Sequence, residues 1–231
     1  MEIQSRSALV TGANRGIGRA LARALVASGA KVYAAARQPE LITDPGVITV
    51  RLDVTDPASI AEAAALAADV EIVVNNAGTA TPAPALTTPL DGARREMEVN
   101  YFGTWAVTQA FAPVLARNGG GAVVNILSAA SWLALEPGAG YAASKSAQWS
   151  LTNALRLALR KQGTLVVGVH VGYVDTDLSS AITEPKVQAD EVAAEVIAGL
   201  STDAEEVLVD EFSRQVKAAL PNDLTQLYGA R

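Results

Sequence analysis

The chain has 231 residues, of which 50% are hydrophobic and 18% charged, so it can close one substantial core but is too short for two ordinary domains and a linker. Its net charge of −6 and pI near 4.9 give an acidic surface without a basic face, which argues against nucleic acid as a partner. With no cysteine and a single histidine, His170, it offers no cluster of ligands for a transition metal, so any redox chemistry must come from an organic cofactor.

We expect one domain over residues 1–231, in the cytoplasm and with no membrane partner. The first ten residues do not read as a signal peptide, and no stretch reaches the roughly 18 consecutive apolar residues that indicate a membrane helix.

Short runs rich in Val, Ile, Leu and Ala alternate along the chain with longer segments of helical periodicity. This alternation predicts an α/β fold: right-handed βαβ units wound into a Rossmann-type, doubly wound parallel sheet of about seven strands, with helices on both faces. The strands are apolar enough for both faces of the sheet to be covered, and ligands should bind outside their carboxyl ends. The predicted strands are 8–11, 31–35, 47–52, 71–75, 122–127, 164–170 and 206–209.

A glycine-rich turn follows the first predicted strand and precedes a helix predicted over residues 19–28. Glycine lets the backbone turn tightly and approach a pyrophosphate, while the helix N-terminus attracts negative charge. A generic strand-to-helix turn could look similar, but its place after the first strand favours a dinucleotide site. The candidate cofactor residues of this turn are Gly12, Asn14, Arg15, Gly16, Ile17 and Gly18.

No carboxylate stands at the end of the second predicted strand, where Ala34, Ala35 and Ala36 are followed by Arg37. An acidic side chain at this place accepts the ribose hydroxyls of NAD(H) and would repel an extra phosphate. The guanidinium of Arg37 can instead bind a 2′-phosphate, with Arg15 as a second cation. We therefore predict NADP(H) as the cofactor. The alternative is that both arginines are solvated surface residues.

Tyr141 and Lys145 are four residues apart in a predicted helix, so both side chains project from one face. A phenol normally titrates near 10, but an ammonium and an oxidised nicotinamide nearby would lower its pKa and make it a usable acid or base. The spacing alone could also mark a surface helix pair. Ser128, at the end of a predicted strand, supports the catalytic interpretation because its hydroxyl can hydrogen-bond a developing alkoxide.

Two further motifs stand between the turn and Ser128: Asn75-Asn76-Ala77-Gly78 and Asn100. In this order and approximate spacing the motifs resemble the short-chain dehydrogenase/reductase family, and the match spans nearly the whole chain. The resemblance implies an NADP(H)-preferring, carbonyl reductase-like oxidoreductase. Its cofactor half would cover about residues 1–120 and its catalytic and substrate half about residues 121–231.

The resemblance also implies roles for single residues. Tyr141 would be the general acid/base, and Ser128 would orient and polarise the carbonyl. Lys145 would bind the nicotinamide ribose and lower the pKa of the tyrosine, while Asn100 would hold a water that links this lysine to solvent. The further cofactor contacts it implies are Asp53 and Val54 at the adenine, Asn76, Ala77 and Gly78 beside the ribose, and Gly172, Val174 and Thr176 after the sixth strand.

The segment after the sixth strand departs from the family pattern at one position. Where the family usually has Pro-Gly, this chain has Val171-Gly172, with Val174 and Thr176 in register to meet the nicotinamide carboxamide and the phosphates. We expect the valine to loosen the turn without changing the cofactor, because loss of a proline acts largely through unfolded-state entropy of about 1 kcal/mol or less.

A short connection follows this segment, which predicts a short lid and an open, tolerant pocket. Its candidate lining residues are apolar or aromatic, which favours a hydrophobic ketone or aldehyde over a charged metabolite, although each could also be ordinary core. They are Trp132, Leu133, Leu135, Tyr173, Leu178 and Ile182.

The main hypothesis is an NADPH-dependent reductase of a small-molecule carbonyl, acting reversibly on the corresponding alcohol. An NAD-linked alcohol or steroid dehydrogenase is the alternative within enzymes. A non-catalytic dinucleotide sensor is the alternative outside them. The complete set of Asn100, Ser128, Tyr141 and Lys145 speaks against a sensor, which needs the phosphate turn but no proton relay.

Two predicted helices, 90–117 and 139–161, carry apolar residues on more than one face. By resemblance, these helices would pair across the interface of a homodimer or homotetramer, whereas a thick monomeric core is the alternative. The residues concerned are Phe102, Trp105, Phe111, Trp149 and Leu157.

Overall fold

The computed structural model describes residues 1–81, 83–87, 89–180 and 182–229, and its centre is a parallel sheet in the order β3-β2-β1-β4-β5-β6-β7. The order reverses between the adjacent strands β1 and β4, which is the switch point where a doubly wound sheet opens its ligand crevice. The seven strands are β1 Ser7–Thr11, β2 Lys31–Ala36, β3 Val47–Arg51, β4 Ile72–Asn75, β5 Ala122–Ile126, β6 Leu165–His170 and β7 Glu206–Leu208.

Helices cover both faces of this sheet. On one face α1 and α6 pack together over Val10, Val74 and Val124, and on the other α2, α4 and α5 pack over Leu9, Val73 and Val123. This division follows from the strand period of two, which points neighbouring side chains to opposite faces. The helices are α1 Gly16–Ala27, α2 Pro57–Leu66, α3 Leu90–Glu96, α4 Thr104–Arg117, α5 Ala139–Leu159, α6 Ala189–Ser201, α7 Glu211–Ala219 and α8 Leu224–Tyr228.

All seven predicted strands are present, with ends that differ by one residue at most, and the predicted fold class is confirmed. The expectation that every strand is covered on both faces is wrong for β3, where Ile48 and Thr49 are exposed. β3 is an edge strand that pairs with β2 alone, so less of the molecule packs against it.

The helix predicted over residues 90–117 is helical throughout, but its hydrogen-bond pattern changes part-way along. A π-helical segment, Met97–Gly103, separates α3 from α4 and carries Asn100. The helix predicted over 139–161 ends as α5 at Leu159 and continues as one 3₁₀ turn, Arg160–Gln162. In the described part of the chain, no helix is long and apolar enough to cross a membrane.

Candidate active site

The glycine-rich turn lies at the carboxyl end of β1 and leads directly into α1. Gly12 and Gly16 have positive φ values of 66° and 53°, which L-residues rarely adopt. A Cβ on Gly18 would lie 2.3 Å from the carbonyl oxygen of Gly12, so only glycine allows the helix to start this close to the strand. Arg15 precedes the helix and makes no side-chain cap hydrogen bond, which leaves the amides of the first turn free for an anion.

Asn76 and Thr11 fix the turn to the end of β4. The Thr11 hydroxyl accepts hydrogen bonds from the backbone N–H groups of Asn76 and Ala77, both at 3.0 Å. The Asn76 amide donates to the carbonyl oxygens of Thr11 at 2.9 Å and Gly12 at 3.3 Å. These contacts join the first and fourth strands at the switch point, beside the predicted phosphate site.

The predicted 2′-phosphate site is open to solvent. Arg37 is exposed after the buried Ala36. Burial acts to raise the pKa of Asp53, but hydrogen bonds from Thr55 and the charges of Arg37 and Arg95 outweigh it, so the pKa is lowered. The charge of Arg37 therefore acts on the carboxylate of Asp53, which is predicted to lie at the adenine with Val54.

Arg15, predicted to be a second cation for the phosphate, pairs with Asp177 at 3.1 Å. Both side chains are exposed, and a surface pair of this kind contributes about 0–1 kcal/mol, so a phosphate could compete for the guanidinium. Gly16 lies beside the Thr176 methyl group, since a Cβ built on that glycine would lie 3.1 Å from it. The predicted phosphate turn and the segment around Thr176 therefore face each other across the crevice.

Ser128, Tyr141 and Lys145 meet at the carboxyl end of β5. Ser128 follows that strand, and its hydroxyl accepts from the backbone N–H of Ala130 at 3.1 Å. Burial raises the pKa of Tyr141, the hydrogen bond with Ser128 acts to lower it, and the charge of Glu96 acts to raise it. The phenol is thus held in its protonated form beside the serine.

The Lys145 ammonium lies 5.8 Å from the centre of the Tyr141 ring. It donates to the carbonyl oxygen of Ile126 and to Oε1 of Gln148, both at 2.8 Å. Burial lowers the pKa of Lys145 to about 7. Its charge is therefore poised to change near neutral pH, and its hydrogen-bond partners help to set that charge.

Asn100 is fully buried in the π-helical segment. Its Oδ1 accepts from the backbone N–H of Thr79 at 2.8 Å, and its Nδ2 donates to the Thr79 carbonyl and the Ser144 hydroxyl, both at 2.9 Å. The side chain thereby holds the loop after Gly78 against α5. Its predicted role as the holder of a water for Lys145 stays a prediction.

The segment after β6 is held by a residue that our sequence reasoning missed. The Asp210 carboxylate accepts from the backbone N–H of Gly172 at 2.7 Å and from that of Ser213, at the start of α7, also at 2.7 Å. The carbonyl of Val171 accepts from the N–H of Ala129 at 2.9 Å. These bonds hold the turn at the position where the family proline is replaced. The position of Asp210 before a helix could have suggested an N-cap, but nothing in the sequence indicates its second contact, with Gly172.

His170, the single histidine, was also missed as a site residue. Its Nδ1 lies 3.2 Å from the carbonyl oxygen of Ser128, and its ring stacks on Trp132 with centroids 3.7 Å apart. Burial lowers the pKa of His170 to about 3, so the ring is neutral near pH 7. Through its Nδ1 contact the ring holds the backbone of Ser128 next to the end of β6.

The six predicted pocket residues do not form one continuous lining. Trp132 is half-buried and packs on His170 and Trp149, and Tyr173 stacks on Phe212 with centroids 6.5 Å apart. Leu178 is exposed, whereas Leu133, Leu135 and Ile182 are half-buried. Their assignment to a substrate pocket stays a prediction.

A family model described as short chain dehydrogenase matches residues 6–187. The chain belongs to the short-chain dehydrogenase/reductase family. The fold, the switch-point crevice and the gathered Ser128, Tyr141 and Lys145 agree with that family membership, which confirms the predicted resemblance. As a member of this family of oxidoreductases, the chain is expected to use a nicotinamide dinucleotide.

Two curated relatives and one solved structure illustrate the similarity. The chain is 36% identical to 1-deoxy-11-beta-hydroxypentalenate dehydrogenase of Streptomyces exfoliatus, over 88% of this chain and 81% of the relative. It is 34% identical to NADPH-dependent 1-acyldihydroxyacetone phosphate reductase of Schizosaccharomyces pombe, over 74% of this chain and 61% of the relative. A short chain dehydrogenase from Burkholderia cenocepacia J2315, solved with NADP, is 38% identical, with a TM-score of 0.94 over 99% of this chain and 98% of its own.

Proposed function

We propose that this short-chain dehydrogenase/reductase is an NADPH-dependent reductase that converts a hydrophobic ketone or aldehyde to an alcohol, in a reversible reaction. The observation that carries the proposal is the meeting of a protonated phenol, Tyr141, with the Ser128 hydroxyl and the Lys145 ammonium beside a turn with free amides. The solved relative with NADP and the reductase named as NADPH-dependent support the choice of cofactor.

The cofactor site would be formed by the glycine-rich turn and its neighbours. The free amides at the start of α1 suit a diphosphate, and the glycines leave the space that a Cβ would fill. Arg37 would bind the 2′-phosphate, and Asp53 and Val54 would lie at the adenine. The backbone around Asn76, Ala77 and Gly78 would flank the ribose, and Gly172, Val174 and Thr176 would flank the nicotinamide end. NADPH, when bound, supplies the hydride that reaches the carbonyl carbon.

The proton step falls to this chain's own residues. Ser128 donates a hydrogen bond to the carbonyl oxygen, and Tyr141 transfers its phenolic proton to that oxygen as charge develops on it. The ammonium of Lys145 stabilises the phenolate that remains, because an opposite charge nearby favours the ionised form. Lys145 would also donate to the ribose hydroxyls. Asn100 keeps the Thr79 backbone in place beside this group.

A second candidate is the reverse reaction, oxidation of a secondary alcohol. The name of the Streptomyces exfoliatus relative, a dehydrogenase of a hydroxy acid, favours this direction. The same three residues would serve it, with Tyr141 as the base. The apolar candidates around Trp132, Leu133 and Leu135 suit the hydrophobic part of either substrate.

The proposal is tested by a panel of ketones and aldehydes read by the loss of NADPH absorbance, with NADH in parallel. We expect turnover of hydrophobic carbonyl compounds with NADPH and weaker turnover with NADH. Alcohols with NADP⁺ form the reverse panel. Binding of NADPH without turnover in either panel would favour the cofactor-sensing alternative instead.

A further inference from the structure

The ammonium of Lys145 is buried, at 5% exposure, yet in the described part of the chain no carboxylate hydrogen-bonds it. Two of its three N–H groups donate to neutral oxygens, the Ile126 carbonyl and Gln148 Oε1. A buried ammonium without such acceptors loses its proton more readily. The Ile126 acceptor is a backbone carbonyl, which any residue at that position would provide. Gln148 is therefore the acceptor that depends on the identity of a side chain.

Gln148 is held in one orientation. It is 1% exposed, and its Nε2 donates to the Thr104 hydroxyl at 2.9 Å. That hydroxyl in turn donates to the carbonyl oxygen of Asn100 at 2.8 Å, so it can only accept from the glutamine. A reversed amide would set its N–H groups against the ammonium and its oxygen against the Thr104 oxygen, whose proton is already donated to Asn100. Oε1 must therefore face Lys145.

The other titratable groups around the lysine come from three elements. Tyr141 lies one turn earlier on α5 and is protonated, because burial raises its pKa. His170, at the end of β6, is neutral near pH 7 because burial lowers its pKa to about 3. Glu96, at the end of α3, acts on Tyr141 through its charge, and among the described contacts it accepts no hydrogen bond from Lys145. None of these groups replaces the hydrogen bond from Lys145 to Gln148.

We propose that Gln148 is a positioning residue of this site: it holds the Lys145 side chain as an ammonium and leaves its third N–H for the ribose and the phenol. The proposal rests on the proposed function, because it assigns Gln148 to the proton step described above. Lys145, Gln148, Thr104 and the Asn100 carbonyl form an unbroken chain of hydrogen bonds, which holds the glutamine in this orientation.

The test compares two variants that change the acceptor in opposite ways. Gln148→Met keeps the length of the side chain but removes the amide oxygen, so the ammonium is less stable and the pH at which activity is lost should fall by about one unit. Gln148→Glu sets a carboxylate against the ammonium, so that pH should rise by a similar amount. The measurement is the alkaline limb of kcat/KM for carbonyl reduction at saturating NADPH. Gln148→Glu keeps an oxygen that can accept from Lys145. If the methionine variant does not fold, the glutamate variant still tests the proposal through its predicted upward shift.

Gln162→Met is the matched control. Gln162 follows α5, and its amide bonds the Ala112 carbonyl and the Thr164 hydroxyl, at the opposite end of that helix from Tyr141. The same substitution there should leave the alkaline limb in place. A control that shifts the limb as far as Gln148→Met does would overturn the proposal.

A second readout needs no turnover. Acetylation of Lys145 by acetic anhydride, followed by mass spectrometry across pH, reports the fraction of neutral amine in the free protein. We expect the apparent pKa to increase in the order Gln148→Met, wild type, Gln148→Glu. If this order holds but wild type reduces no carbonyl, the proposed function fails and the Gln148 link stands. If wild type is active but the order is absent or both variants shift one way, the link is wrong and the proposed function stands.

Discussion

Burial acts on Tyr141 and Lys145 in the same chemical sense, since it favours the neutral form of each. The pKa of the phenol is raised, and that of the ammonium is lowered to about 7. A protonated tyrosine suits a proton donor for carbonyl reduction, whereas a lysine poised near neutrality depends on its hydrogen-bond acceptors to stay charged. In both residues burial is the largest cause of the pKa shift, so exclusion of water from this site determines their protonation states.

Tyr141→Phe removes the proton that the reaction needs and keeps the ring. We expect kcat to fall by about 10²–10⁴-fold, while NADPH still binds with nearly unchanged affinity. Steady-state kinetics and NADPH fluorescence titration check the two parts. Turnover like that of wild type in the purified variant would remove Tyr141 from the mechanism.

His170 should remain neutral throughout the physiological pH range. Its pKa in the folded protein is about 3, against 6.5 as the ordinary value, so the unfolded chain binds a proton between these limits and the folded chain does not. The free energy of unfolding should therefore rise with pH from about 3 to 6.5 through this group and be flat above it. Because the chain has a single histidine, one imidazole signal in NMR reports it directly. A native-state titration midpoint near 6.5 would contradict this prediction.

At the scale of elements, Asp210 joins the segment after β6 to the start of α7. Asp210→Ala should cost about 1 kcal/mol of stability through the lost cap and also weaken NADPH binding several-fold, because Gly172 loses its anchor. Asp56→Ala is the control: the Asp56 carboxylate caps α2 through the N–H of Ala58, and the backbone bond from Asp56 to the Asp53 carbonyl does not depend on the side chain. Thermal melts and NADPH titrations of both variants separate the effects. Equal NADPH affinity in the two variants would show that Asp210 is a helix cap alone.

The sequence allowed the strands and the phosphate turn to be predicted because their signals are local. Apolar runs and glycine spacing depend on neighbours in the chain, as in Gly12 to Gly18. The π-helical segment around Asn100 could not be predicted, because its apolar pattern resembles that of an ordinary helix. Asp210 and His170 were missed because each acts through a partner 38 or 42 positions away that only the tertiary structure brings near. Gln148 lies within one helical turn of Lys145, but its orientation depends on Thr104, which is 44 positions away.

At the scale of the whole molecule, three apolar side chains on α4, α5 and the π-helical segment are left exposed: Phe102 at 47%, Trp105 at 37% and Leu157 at 68%. Phe111, which we had grouped with them, is instead fully buried in the core beneath α4. Tyr101 packs edge-to-face on Phe102 and Trp105, with ring centroids 4.8 and 5.8 Å apart. The exposed residues support the proposal of a homodimer or homotetramer through these helices.

Trp105→Glu tests that assembly, because a carboxylate in an apolar interface is costly to desolvate. We expect light scattering to give a multiple of the 23.8 kDa chain mass for wild type and a lower mass for the variant. Asp91→Glu, a change at an exposed position at the start of α3, is the control and should leave the mass unchanged. A monomeric wild type would contradict the proposal.

The central claim, a reductase specific for NADPH, is tested most directly by kcat/KM for both cofactors in wild type, Arg37→Ala and Ala36→Asp, at one ionic strength. Wild type should favour NADPH, and Arg37→Ala should lower its efficiency with NADPH by about ten- to a hundredfold while NADH is barely affected. Ala36→Asp should reverse the preference, because the new carboxylate would face the phosphate. A wild type that already favours NADH, or an unchanged ratio of the two efficiencies in Arg37→Ala, would contradict the account.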